Sequence, residues 1–317
     1  MALSDSIDFT VTRDDLIQEA LEEIGVLDIG ETPSALQLTS CARSLNLMLK
    51  QWQADEVNLF AVSRTYLFLA KSINEYKLGS TARYVNAFTQ TTLSGDAGIG
   101  STSINLTSTT GIVDGTIILV KTTDNDLESL TASAVGTLGV VPIDVATVGT
   151  MDNGAVVYFY QPTDLANRPM KILDGTRRES TTEGATDIPL DLITRKDYVS
   201  LSNKNATGVP VQIYQNPELD FLRVRTWPSP SDASFYYTLW VQDTLDDLDA
   251  ATNNPAYPQE WQNAIALGLA VRVHRKFGVP SQEIQATMMA AAEAYDIAYG
   301  YDREDSFRIV PSDQTVQ

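Results

Sequence analysis

Residues 12–55, TRDDLIQEALEEIGVLDIGETPSALQLTSCARSLNLMLKQWQAD, decide how the chain is read, because they specify two consecutive amphipathic helices with marked ends. Thr12 is predicted as the N-cap of the first, and Asp14 and Asp15 place negative charge in its first turn, at the positive end of the helix dipole. Leu16, Ile17, Ala20, Leu21 and Ile24 follow the spacing of one buried face, and Gly25 is free to take the left-handed conformation that ends a helix. In the second, Thr32 and Pro33 read as a cap followed by a first-turn proline, and Leu38, Cys41, Ala42, Leu45, Met48, Leu49 and Trp52 recur at three- and four-residue steps. At ~1.5 Å per residue a helix over residues 33–54 is about 30 Å long. Leu36 and Leu47 stand off this stripe, three turns apart on a second line. Such a line predicts a second neighbour, either in the core or across a subunit interface.

The chain of 317 residues is long enough for more than one packed layer and a sizeable core. Its 41 acidic against 22 basic residues give a net charge of −19, which opposes gripping phosphates by counterion release and favours repelling DNA. Cys41 is the only cysteine, so no internal disulfide forms and a small core residue is expected there. The opening MALSDSIDFT lacks a basic segment followed by an apolar run, and no apolar stretch approaches ~20 residues. The expectation is a protein neither exported by a signal peptide nor embedded in a membrane.

After Asp55 the period changes. Residues 65–69 and 75–78 read as strands, and residues 91–160 form a Thr-, Ser-, Gly- and Val-rich stretch with strand signals at 103–107, 116–121 and 155–160. Turn signals at Gly95, Asp114-Gly115, Asp124-Asn125 and Asn153-Gly154 separate them, predicting an inserted small β-sandwich or barrel. Further strands are expected at 211–214, 221–225 and 235–241, followed by an acidic loop over 243–249. Helix returns at Pro258, where residues 264–271 are apolar on nearly every side and must be covered all round. Arg272, His274, Arg275 and Lys276 complement its C-terminal dipole, and a last helix is expected from Ser281, with Ile284, Met288, Ala291, Tyr295 and Ala298 on one face and Gly300 at its end. The predicted class is α+β: a four-helix body from residues 1–60 and 253–300, a β region over 61–90 and 161–252, the insert at 91–160, and an extended tail at 301–317.

Chemistry finds few footholds. His274 is the only histidine, so a triad or a histidine metal site must run through it, and no CxxC or HExxH accompanies it. Residues 95–100, GDAGIG, have the glycine order of a turn and lead into strand sequence where a phosphate loop needs a helix. Asp243, Asp246, Asp247 and Asp249 lack the ligand alternation and terminal glutamate of a calcium loop. No cofactor, metal or enzymatic activity is expected. Arg177-Arg178 and Arg195-Lys196 interrupt the acidic background, as do Arg223 and Arg225 on one strand face. Surface ion pairs are their default reading; the sharper one, for Arg177, Arg178, Arg195 and Lys196, is a contact to a neighbouring subunit or to passing DNA.

The order of these pieces resembles the head-to-tail adaptor family of short-tailed bacteriophages, the tail accessory or packaged-DNA-stabilising proteins that complete the head. The resemblance rests on four places: residues 12–17 (TRDDLI) through 45–52 (LNLMLKQW), the Gly/Thr-rich insert ending in 154–158 (GAVVY), residues 203–210 (NKNATGVP), and residues 222–230 running on to 257–261 (YPQEW). It implies a structural virion protein at the head-tail junction, assembled in the host cytoplasm. Twelve copies would form a ring docked under the portal protein, continuing the channel for packaged double-stranded DNA and offering a platform to the tail nozzle. A C-terminal extension, here the residues from 301, would reach the portal; position in that tail, and no matched motif, makes Phe307, Ile309 and Val310 the expected anchors and Arg303 and Arg308 the charged contacts, and the off-stripe line of Leu36 and Leu47 would meet the adjacent subunit. The large β insert departs from the smallest, all-helical members. A tail nozzle or tail-tube subunit, or a virion protein that binds or degrades cell-surface carbohydrate, is the alternative.

Overall fold

A computed structural model describes residues 9–55, 59–134, 136, 139–179 and 186–302. The class is mixed α+β. Five α-helices lie among the described residues: α1 (Arg13–Glu23), α2 (Ala35–Asp55), α3 (Arg195–Ser200), α4 (Gln262–Val273) and α5 (Gln285–Tyr301). The described residues divide into two compact units, one made of those up to 61 and from 245 to 302, the other of those between 62 and 244.

In the first unit α1 starts as expected and more firmly. The Thr12 hydroxyl accepts from the Asp15 N–H (3.3 Å), and the Asp15 carboxylate accepts from the Thr12 N–H (3.1 Å), a reciprocal capping box. Gly25 beyond its end has φ +68°, the left-handed conformation expected of it. The start of α2 differs from the expectation. The cap is Ser34, whose N–H donates to Gln37 Oε1 (2.8 Å) and whose hydroxyl accepts from the Gln37 N–H (3.4 Å), so Thr32-Pro33 lies outside the helix. At the other end, α5 begins at Gln285 and passes through Gly300 to Tyr301, so Gly300 does not stop it.

The core of this unit gathers Leu16, Ile17, Ala20 and Leu21 of α1, Cys41, Leu45, Met48 and Leu49 of α2, and Ala264, Ile265, Leu269, Ala270 and Val273 of α4. Helix α4 needs cover on most sides and has it: eight of its 12 residues are buried. From α5 only Ile284, just before it, and Ala298 are fully buried. The acidic loop joins the same core through Leu245 and Leu248, which its carboxylates had masked in the sequence. Asn46 holds that loop on α2, its Oδ1 accepting from the Leu248 N–H (3.0 Å), while Lys50 pairs with Asp247 (2.9 Å).

The second unit is β. A five-stranded sheet runs in the order Asp187–Pro189, Lys171–Glu179, Phe235–Gln242, Val62–Phe68, Tyr84–Val85, and a four-stranded sheet in the order Asp191–Ile193, Gln212–Pro217, Leu222–Trp227, Glu75–Leu78. Strict alternation sends Tyr237, Leu239 and Val241 of the first sheet and Leu222 and Val224 of the second into one shared core. The insert carries a four-stranded antiparallel sheet in the order Thr89–Thr92, Val156–Tyr160, Ile117–Lys121, Leu127–Thr131, and its own core holds Ile118, Val120, Val157 and Phe159. The alternate residues Leu119, Tyr158 and Tyr160 point the other way and pack with Phe68, Val85 and Tyr236 of the five-stranded sheet. Burial on both faces is why Ile117–Lys121 reads as a continuous apolar run. The insert is thus fused to its neighbour by an aromatic layer, in which Phe68 and Tyr158 rings lie 4.6 Å apart, and by the Arg83 guanidinium donating to the Leu127 carbonyl (2.9 Å).

Candidate functional site

In the helical unit, α2 sends Cys41, Leu45, Met48 and Leu49 inward, so at 100° per residue Leu36, Arg43 and Leu47 fall on the opposite side. Leu36 is 85% exposed and Leu47 57%, on the second line that the sequence spacing indicated. Helix α5 presents a second outward face. Its inward residues Ala291, Tyr295 and Ala298 leave Met289, Glu293 and Ile297 facing away, with Met289 74% and Ile297 67% exposed. Two helices of one unit therefore display large apolar side chains to solvent. Isolated exposed apolar residues are ordinary on a folded surface; it is a contiguous exposed apolar patch that marks an interaction site.

Below these faces the helices are locked by aromatic and polar contacts. Trp261, buried next to α4, stands 5.9 Å from the Trp52 ring, 5.6 Å from Tyr295 and 5.7 Å from Tyr257. A groove of about 530 Å³ runs beside this cluster, lined by residues of α2, α4 and α5 that include Gln51, Trp52, Arg272, Met288 and Asp296. The basic end of α4 does more than meet a dipole. Lys276 Nζ donates to the Ser44 hydroxyl of α2 (2.5 Å), and Arg272 Nη1 donates to Gln51 Oε1 (3.2 Å). Burial pushes the Cys41 thiol up, against the opposing effect of the nearby Lys276 charge.

Asp302, the residue that ends α5, is buried and accepts from the N–H groups of Leu59 (3.1 Å) and Phe60 (3.2 Å). Burial raises its pKa, and those two N–H bonds act the other way. Residues 301 and 302 thus belong to the helical unit, and an extended segment can begin only after them. Arg303, Phe307, Arg308, Ile309 and Val310 lie outside the described residues.

The basic residues separate into four groups. Arg177 is 8% exposed, its Nη1 donating to the Pro210 carbonyl (2.7 Å) and its guanidinium over the Phe235 ring, so it has no free face for DNA or a neighbouring subunit. Arg178 forms a two-bond fork with Asp187, both at 2.8 Å, the ordinary surface pair. Arg195 and Lys196 stay exposed in the first turn of α3. Arg223 and Arg225 share Glu75 of the neighbouring strand, and Arg223 also bonds Glu218, holding that carboxyl below the usual carboxylate range.

His274 is buried, with Nδ1 2.6 Å from the Val271 carbonyl and Nε2 3.2 Å from the Ser281 hydroxyl. Both ring nitrogens are engaged in joining the end of α4 to the turn before α5. Among the described residues no three His, Cys, Asp or Glu side chains stand where they could hold a metal ion, and no helix is long and apolar enough to cross a membrane. No protein-family model matches the chain, and no curated protein matches it.

Proposed function

We propose that the chain is a structural virion subunit, a head-to-tail adaptor that docks on a portal, extends its DNA channel and offers a platform for the tail. The observation that carries this reading is the pair of solvent-facing apolar rows on α2 and α5, on a unit whose interior is already filled. A subunit built to stand beside copies of itself needs such faces. The four long helices of residues 1–60 and 253–300 would act as one body forming the ring wall, with Leu36 and Leu47 at the subunit boundary. The net charge of −19 supports a channel that DNA traverses without adhering, since like charges repel.

Attachment is assigned to residues 303–317, with Phe307, Ile309 and Val310 as anchors and Arg303 and Arg308 as charged contacts. The test mixes the purified chain with portal rings and images the product by electron microscopy. The full chain is expected to form a second ring on the portal. Removal of residues 303–317, which spares Asp302 and its bonds to Leu59 and Phe60, is expected to abolish docking while the circular dichroism of the helices is unchanged. Docking that survives the truncation sinks the anchor assignment. Clearing of peptidoglycan, lost on one carboxylate substitution, would favour an enzyme instead.

A further inference from the structure

The outward faces of α2 and α5 are complementary in chemistry as well as both being exposed. Arg43 occupies the middle of the α2 face, between Leu36 and Leu47. Glu293 occupies the middle of the α5 face, four residues from Met289 on one side and from Ile297 on the other. Neither charge has a hydrogen-bond or ion-pair partner among the described residues. The other cation on the α2 face, Lys50, is already held by Asp247 and the Leu245 carbonyl. The middle of each outward face thus carries an unpaired charge flanked by large apolar groups, basic on α2 and acidic on α5, where the exposed Asp296 one residue before Ile297 adds a second acid.

From this pattern we infer that α2 of one copy packs on α5 of a second copy of the same chain, Arg43 opposite Glu293, with Leu36 and Leu47 against Met289 and Ile297. The inference rests on the reading of Leu36 and Leu47 as a subunit boundary and names what lies across it. Two α2 faces set against each other would oppose Arg43 to Arg43, and two α5 faces Glu293 to Glu293. Like charges directly opposed at a contact are unfavourable, so the mixed pairing is selected. A mixed contact leaves one free α2 and one free α5 at the ends of every pair. Association of this kind is head-to-tail and proceeds to a closed ring or an open filament.

Two full-length single-substitution proteins test it, Leu47→Cys and Ile297→Cys. The native Cys41 is buried and does not compete for a cross-linker. With a short bismaleimide, covalent dimers are expected from the mixture of the two and not from either alone. Dimers from Leu47→Cys alone, from Ile297→Cys alone, or from none of the three samples overturn the pairing. In parallel, Arg43→Glu and Glu293→Arg are each expected to weaken self-association about tenfold or more by sedimentation, and the two reversals combined to restore it. Reversals without effect also overturn it. Cross-links and charge rescue without portal docking would leave the pairing standing and remove the adaptor assignment. Docked rings without the cross-links would do the reverse.

Discussion

Asp302 shows what one residue can do that its sequence context conceals. It follows a long helix as one more acid in an acidic chain, yet its buried carboxylate ties the end of α5 to the N–H groups of Leu59 and Phe60. Its pKa is raised above the ordinary carboxylate value of ~3.9, because loss of hydration outweighs the two N–H bonds. The folded state therefore holds the proton more tightly than the unfolded chain does. The resulting stabilisation is fully present below the ordinary value and is lost as pH rises through the raised one. Asn at this position does not titrate. The cost of Asp302→Asn, measured by urea unfolding, is accordingly expected to be larger at pH 3 than at pH 7; an equal cost at both would show that the group is not shifted. Ser34 is a second concealed residue, since its S-x-x-Q spacing with Gln37 is a legible cap signal that the adjacent Thr32-Pro33 outshone.

Helix α4 is the element on which the helical unit depends, and its one glycine explains how α2 reaches it. A β-carbon at Gly268 would lie 3.1 Å from the Trp52 ring and 3.2 Å from the Met48 sulfur, so the absent side chain is the space that α2 occupies. Glycine inside a helix costs about 1 kcal/mol relative to alanine, and here close approach offsets that cost. Gly268→Leu is expected to force Trp52 and Met48 aside and to destabilise the protein by about 1–3 kcal/mol in chemical denaturation, the range for an overfilled core. A change below ~0.5 kcal/mol would mean that the groove beside Trp52 absorbs the added volume. The all-round apolarity of residues 264–271 was legible as a demand for cover. Which helices supply it, and that a glycine sets the approach, was not.

At the scale of the molecule, the described residues of 9–61 and 245–302 make one unit, and those between them another. Within the β unit the insert is bonded to its neighbour by the layer of Phe68, Tyr158, Tyr160 and Tyr236. Replacing residues 89–160 with a short Gly-Ser linker is geometrically simple, because Thr89 pairs with Phe159 and the cut ends are adjacent. The product is expected to bind a hydrophobic dye and to melt at a lower temperature, since it uncovers that layer, while the helical circular dichroism persists. An unchanged melting temperature would show that the layer contributes nothing to the unit.

The sequence by itself determined the local elements: the cap at Thr12, the turn at Gly25, the inward stripes of α1, α2 and α4, the strand runs, and the second line of Leu36 and Leu47. These depend on spacing along one segment, which period and side-chain chemistry specify directly. Only the tertiary structure decided that Arg177 is buried while Arg178 is paired at the surface, although the two are adjacent. Strand alternation sends neighbouring residues to opposite faces, but which face is covered depends on elements distant in the chain. It also decided that α5, with an apolar stripe like that of α1, keeps Met289 and Ile297 in solvent. An apolar residue carries the same signal whether or not its own chain covers it, and the folded arrangement alone shows which.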